Sequence, residues 1–358
     1  MSRIAPLLSL FLALGCSQQG DGATFGGFGT DNGVTDGNDG GVSDGSPADG
    51  GTADGDTAAS ENEDDGGGGG PLLDVASAET GTVDEDGCKK IDLLFVVDNS
   101  GSMQTEQTNL IAAFPEFVDA MTTLLPAAAD FHVGVTTTDS LGVNGFMDAP
   151  PFPDDPCVNT LGALNDRVTP PDGHSGYGPE CGFSSGQPYM VDSENLAEEF
   201  ACAAGVGVHG NGLEHHFDAA RLALTDDTCN GDFVRDDALL VLVMITDEDD
   251  DYSEPSEFDV GTQARAQAWF DDLVAVKGGI ETNIVTMLIS GGSPKFPGCP
   301  DWNINDPDTA KESDQLTAFS SLFTFNYPGN VCAAGYTQVF SDALETIAEA
   351  CEDFTPVG

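Results

Sequence analysis

Residues 91–97 are apolar at every position except Asp92 and run directly into Asp98, Asn99, Ser100, Gly101, Ser102 and Met103. A strand that is apolar on both sides of its pleat needs cover on both faces, a condition met by a parallel sheet sandwiched between helices. A second run, residues 238–245, is apolar throughout and ends in Thr246, Asp247, Glu248, Asp249, Asp250 and Asp251. In a doubly wound sheet the carboxyl ends of the central strands lie side by side, so Asp247 is expected to face Asp98 across the crevice. Asp98, Ser100, Ser102 and Asp247 then form a cluster of hard oxygen donors suited to a divalent cation.

The rest of the chain after Cys88 alternates in the same way. Strands are expected at 91–97, 131–137, 188–191, 238–245, 284–289 and, briefly, 338–340. Helical spacing links Leu110, Phe114, Phe117, Val118 and Met121, with Pro115 kinking that helix. Further helices are expected at 213–224, at 263–276 before the Gly278-Gly279 stop, and at 341–351. The expected fold class is therefore α/β, a doubly wound, mostly parallel six-stranded sheet. Residues 141–187 are too long for a plain strand connection and read as a disulfide-held insertion at the edge that carries the acids. Partner choice is expected to lie there, around 159–189.

The first 87 residues differ from everything that follows. Residues 1–16 hold Arg3, an apolar stretch and Gly15 before Cys16, the pattern of an export signal. Ala13, Leu14, Gly15 and Cys16 resemble a bacterial lipobox, which implies cleavage before Cys16 and its lipidation. Ser17 implies, by the same resemblance, delivery to an outer membrane or cell surface. From residue 17 to 87 there is no Lys or Arg, and aromatic residues are limited to Phe25 and Phe28. Such a stretch buries too little apolar surface to fold and reads as a disordered acidic tether reaching roughly 45 Å on average. Gly26, Gly27, Gly29 and Asp31 match a calcium-binding β-roll repeat once, where stacked copies are required.

The net charge is −52, and residues 88–358 hold 45 of the 62 acids against nine of the ten Lys and Arg. Nucleic acid and anionic lipid headgroups are excluded as partners by that balance, leaving the membrane to be reached through the lipid anchor alone. Apart from Cys16 there are eight cysteines and no Cys-x-x-Cys, which argues for four disulfides in an oxidising compartment rather than a zinc site. Sequence leaves the connectivity open. The pairing expected from position along the chain is Cys88 with Cys351, Cys157 with Cys181, Cys202 with Cys229, and Cys299 with Cys332.

With the strand context in place, the chain from Cys88 to Cys351 resembles a von Willebrand factor type A domain. Asp98, Ser100 and Ser102 match that family's metal-ion-dependent adhesion motif and Asp247 its later aspartate. Residues 98–103, 134–139 and 246–250 resemble the type A lipoproteins of predatory and gliding proteobacteria. The resemblance implies Ser100 and Ser102 as direct ligands of the ion, Asp98 and Asp247 holding its waters, and an open position that takes a carboxylate from a protein or glycan ligand. The ion implied is Mg²⁺ first, with Ca²⁺ or Mn²⁺ as alternatives.

The family also has a threonine in the loop before the helix near Gly212, where this chain has none; His209 and Asn211 stand nearest. A histidine there tilts preference toward Mn²⁺ or Zn²⁺, an asparagine toward Mg²⁺ or Ca²⁺. Asp139, Glu248, Asp249 and Asp250 form a candidate second-ion set, or else a solvated acidic rim. His209, Glu214, His215 and His216 superficially suggest a zinc hydrolase. On one helix, however, His215 and His216 would point about 100° apart, and there is no His-Glu-x-x-His. Arg235 is expected to neutralise Asp236 and Asp237. No nucleophile and base pair is visible, so the chain is expected to be a binding protein rather than an enzyme. A metal-assisted hydrolase in the same crevice and an envelope protein with a vestigial site are the alternatives.

Overall fold

The computed structural model describes residues 88–357 apart from 127, 129, 139–154, 172–175, 211, 251–260, 304–305 and 307. The signal, the tether, Cys16, Asp139 and Asn211 lie outside the described residues, as does part of the 141–187 insertion.

Six strands form one sheet: β1 Lys90–Val97, β2 Asp130–Thr137, β3 Met190–Val191, β4 Leu239–Ile245, β5 Ile284–Ser290 and β6 Phe325–Asn330. Their order is β3-β2-β1-β4-β5-β6. All neighbours pair in parallel except the two-residue β3, which runs antiparallel to β2 at the edge, so the sheet departs from a fully parallel doubly wound pattern. The direction of strand succession reverses between β1 and β4, and in such sheets the crevice beyond the strand ends opens at that point.

The helices are α1 Gln104–Leu124, α2 Leu196–Ala204, α3 His216–Thr225, α4 Asp227–Asn230, α5 Thr262–Val276, α6 Asp314–Ser320 and α7 Thr337–Asp353. Alternation along β1, buried from Ile91 to Val97, divides the core in two. Ile91, Leu93, Phe95 and Val97 face α1, α2 and α7, while Leu94 and Val96 join Leu240, Leu242 and Met244 against α3, α5 and α6. On the first face Phe95 sits edge-on to Phe200 at 4.9 Å, and Phe200 stacks on Phe114. On the second, Trp269 stacks on Phe217 at 5.0 Å.

Two expectations about elements are corrected. Residues 338–340 belong to α7, where Val339, Phe340, Ala343, Leu344 and Ile347 form one buried helical face. The sixth strand is β6, whose Pro328 and Gly329 read as breakers in the sequence. A proline is tolerated there because β6 pairs with β5 alone and has an edge that needs no N–H donor. The helix expected at 213–224 begins later, at His216, and α1 continues through Pro115.

The disulfides are Cys88–Cys351, Cys157–Cys229, Cys181–Cys202 and Cys299–Cys332. The first and last match expectation, whereas Cys157–Cys181 and Cys202–Cys229 are exchanged for Cys157–Cys229 and Cys181–Cys202. Cys157 bonds across 72 residues instead of to its nearer neighbour because the insertion is folded back. The Asn165 amide donates to the Val135 carbonyl of the sheet and its side chain donates to the Ala203 carbonyl of α2, which brings Cys181 against α2 and leaves Cys157 beside α4. Four disulfides fit an exported protein in an oxidising compartment. Among the described residues, no helix is long and apolar enough to cross a membrane.

Candidate metal centre

Asp98 is the residue immediately after β1, and its N–H still donates to Ile245 at the end of β4, 3.1 Å away. The adjacent strands thereby place Asp98 and the Thr246-Asp247 pair together beyond the sheet. Asp98 is fully buried; Oδ1 accepts from the Ser100 amide at 2.7 Å and Oδ2 from the Thr246 hydroxyl at 2.7 Å. The turn this makes brings the Ser100 and Ser102 hydroxyl oxygens to 3.3 Å from each other. Gln107, in the first turn of α1, bridges the Asp98 carbonyl to Gly207, donating to each and accepting from the Gly207 amide.

The loop carrying His209 is held against the same turn by the Gly210 amide, which donates to the Asn99 carbonyl at 2.8 Å. A Cβ at Gly210 would lie 2.3 Å from Asn99 Oδ1 and 2.6 Å from its carbonyl oxygen, so only glycine fits. His209 itself is partly buried in this loop.

Asp247 is buried, and neither carboxylate oxygen makes a hydrogen bond of standard geometry among the described residues. The neighbouring Ser102 hydroxyl, bonding to it at looser geometry, favours its charged form. Burial drives the Asp247 proton affinity up, with Glu248 and Glu106 adding repulsion. Burial likewise raises Asp98, reinforced by the charge of Asp247. Glu106, in the first turn of α1, is buried with Oε2 unpartnered, and desolvation first, then Asp308 and Asp98, pushes it up to about 7. The buried Tyr336, whose hydroxyl donates to Val331, is also pushed up by burial and then by Glu106 and Asp247. Buried carboxyls that repel one another, with oxygens of Asp247 and Glu106 short of partners, favour either protons or a cation.

Two residues set aside by the sequence argument enter the centre. Asp98, Glu214 and His216 each place one potential ligand atom within 4.8 Å of the others, and all three are buried. Glu214 and His215 precede α3 and His216 is its first residue, so Glu214 reaches the cluster from outside the helix, and the cluster takes His216 and not His215. Glu214 is oriented by the Thr138 hydroxyl, which donates to Oε2 from the end of β2. Burial lowers His216 to about 3, so its imidazole is neutral. Glu106, Thr138 and Thr246 also escaped sequence reading; only the ends of the apolar runs hinted at the two threonines.

Of the candidate second-ion set, Asp139 lies outside the described residues, and the other three have partners elsewhere. Asp250 accepts from the Phe217 amide at 2.8 Å, at the start of α3. Asp249 accepts from the amides of Gln315 and Leu316 at the start of α6. Both are capping carboxylates at helix N-termini. Glu248 instead pairs with Lys311 at 2.9 Å. Arg235 lies at the opposite end of the sheet, where it binds the buried Asp92 at 2.8 Å and Asp130 at 2.7 Å; Asp237 pairs with Lys90.

Beyond the end of β2, the disulfide-linked insertion encloses a cavity of about 220 Å³ lined by Thr137, Asp155, Asn165, Arg167 and the Cys157–Cys229 bridge. Arg167 is partly buried there and pairs with Asp155 at 2.9 Å.

No family model matches the sequence, and no curated protein matches it. Similar solved structures include two crystal structures of proximal thread matrix protein 1 from the mussel byssus. One is 10% identical with a TM-score of 0.36, covering 74% of this chain and 49% of that protein. The other is 11% identical with a TM-score of 0.34, covering 74% and 47%. The pilus adhesin SpaC from Lactobacillus rhamnosus GG is 12% identical with a TM-score of 0.34, covering 72% of this chain and 31% of its own. The chain thus spans about half or less of the length of these proteins.

Proposed function

We propose that this chain is a surface-anchored lipoprotein whose domain, of the von Willebrand factor type A kind, binds a protein or glycan ligand through a divalent cation. The observation that carries this reading is Asp247: a buried carboxylate beside Ser102 and Asp98 whose oxygens make no hydrogen bond of standard geometry among the described residues. Leaving such a group unpaired costs several kcal/mol, which a cation offsets. The donor set fits the group. Ser100 and Ser102 would hold the ion through their hydroxyls, and Asp98 and Asp247 would fix its waters. Neutral direct ligands leave a bound Mg²⁺ able to accept an outside carboxylate. In this reading the insertion around the Arg167 cavity selects which ligand delivers it.

This reading assigns no catalytic residue. Its test is calorimetric titration of Mg²⁺, Ca²⁺ and Mn²⁺ into the oxidised mature chain, with Asp98→Ala and Ser100→Ala alongside. Saturable binding to wild type, lost in both variants, is expected. Equal heats in all three proteins would leave a scaffold without a cation site.

A further inference from the structure

Asp98 belongs to a second set of donors that excludes both serines and Asp247. Its other members are Glu214, from the segment entering α3, and His216, the first residue of α3. An acidic cluster alone would signify little in a chain of this charge. The independent observation is the imidazole. His216 is fully buried, and neither Nδ1 nor Nε2 has a hydrogen-bond partner among the described residues. A neutral imidazole normally satisfies one donor and one acceptor, and burying either unpaired costs about 1–3 kcal/mol. Here a ring nitrogen lies within 4.8 Å of carboxylate oxygens from Asp98 and Glu214. That span is what three ligands of a single ion with bonds of about 2.0–2.2 Å can bridge after small adjustment.

The geometry points to a transition-metal site formed by Asp98, Glu214 and His216, taking Zn²⁺ or Mn²⁺ in preference to Mg²⁺ or Ca²⁺. One nitrogen and two carboxylates form a borderline donor set, and imidazole draws first-row transition ions where all-oxygen sites draw Mg²⁺ and Ca²⁺. Thr138 acts as a positioning residue, because its hydroxyl holds one Glu214 oxygen and so fixes how the carboxylate is presented. The site goes beyond the adhesion-type reading, since Ser100, Ser102 and Asp247 take no part in it.

The test is equilibrium dialysis of the oxidised mature chain against Zn²⁺ in about 0.5 M NaCl, which screens the acidic surface, with bound metal counted by mass spectrometry. Wild type is expected to retain one transition ion per chain. His216→Ala and Glu214→Gln are expected to lose more than about 100-fold in affinity, while Ser102→Ala keeps it. Near-ultraviolet circular dichroism identifies any variant that misfolds. Zinc-dependent shifts of the His216 ring signals in wild-type NMR spectra supply a readout independent of mutation. Absence of retained metal in folded wild type, or equal retention by folded His216→Ala, would overturn the site. If Ser102→Ala alone abolished Zn²⁺ binding, the transition-metal set would fall while the adhesion-type reading stood.

Discussion

Replacing Glu106 with glutamine should make the metal-free protein more stable at neutral pH, although the change removes a native charge. Burial raises the Glu106 carboxyl from 4.5 to about 7. Between those values the folded state holds a proton that the unfolded chain has released, so wild-type stability falls as pH rises through that window and levels off above it. At 1.36 kcal/mol per pH unit, the loss accumulates to about 3 kcal/mol. Glutamine keeps the shape and stays neutral. The two proteins should therefore unfold alike near pH 4, and the variant should lead by about 3 kcal/mol near pH 8. Urea denaturation in chelator at a series of pH values measures this. Saturating Mg²⁺ should narrow the gap, because a cation in the centre offsets the charge that glutamine removes. A difference that does not change with pH, or a variant less stable than wild type near pH 8, would refute the reasoning.

At the other end of β1, Arg235→Met should destabilise by about 3–5 kcal/mol in urea melts, because it strands the fully buried Asp92. Adding Asp92→Leu should recover most of that loss. Gly210→Ala forces a methyl group to within 2.6 Å of the Asn99 carbonyl oxygen, so calorimetry should find cation binding weakened while the sheet core persists. Peptide mapping of the oxidised protein should yield Cys157 linked to Cys229 and Cys181 linked to Cys202. A Cys157–Cys181 peptide would contradict the fold of the insertion.

The sheet centre was legible because β1 and β4 are continuous apolar runs, and a run of that kind permits few architectures. Asp98 and Asp247 followed from it, since each is fixed by where its strand ends. β6 was not legible: Pro328 and Gly329 suppress the strand signal, and only its place at the edge makes them harmless. Glu214 and His216 were hidden for a related reason. Helical spacing was applied to residues 213–216, but α3 starts at His216, so Glu214 joins His216 and Asp98 from outside the helix. The acids after Asp247 misled in the opposite direction, because Asp249 and Asp250 turn back to meet helix N-termini, a fate that charge patterning alone does not reveal. Two disulfides were misassigned because the folded-back insertion carries Cys157 to Cys229, 72 residues on, and so leaves Cys181 to Cys202.

The most direct test of a cation centre at the ends of β1 and β4 is anomalous diffraction from crystals of the oxidised protein grown in Mn²⁺. The account predicts a manganese peak bonded to a hydroxyl of Ser100 or Ser102, with Asp98 and Asp247 around it. Manganese-saturated crystals with no anomalous density beside those four residues would contradict it.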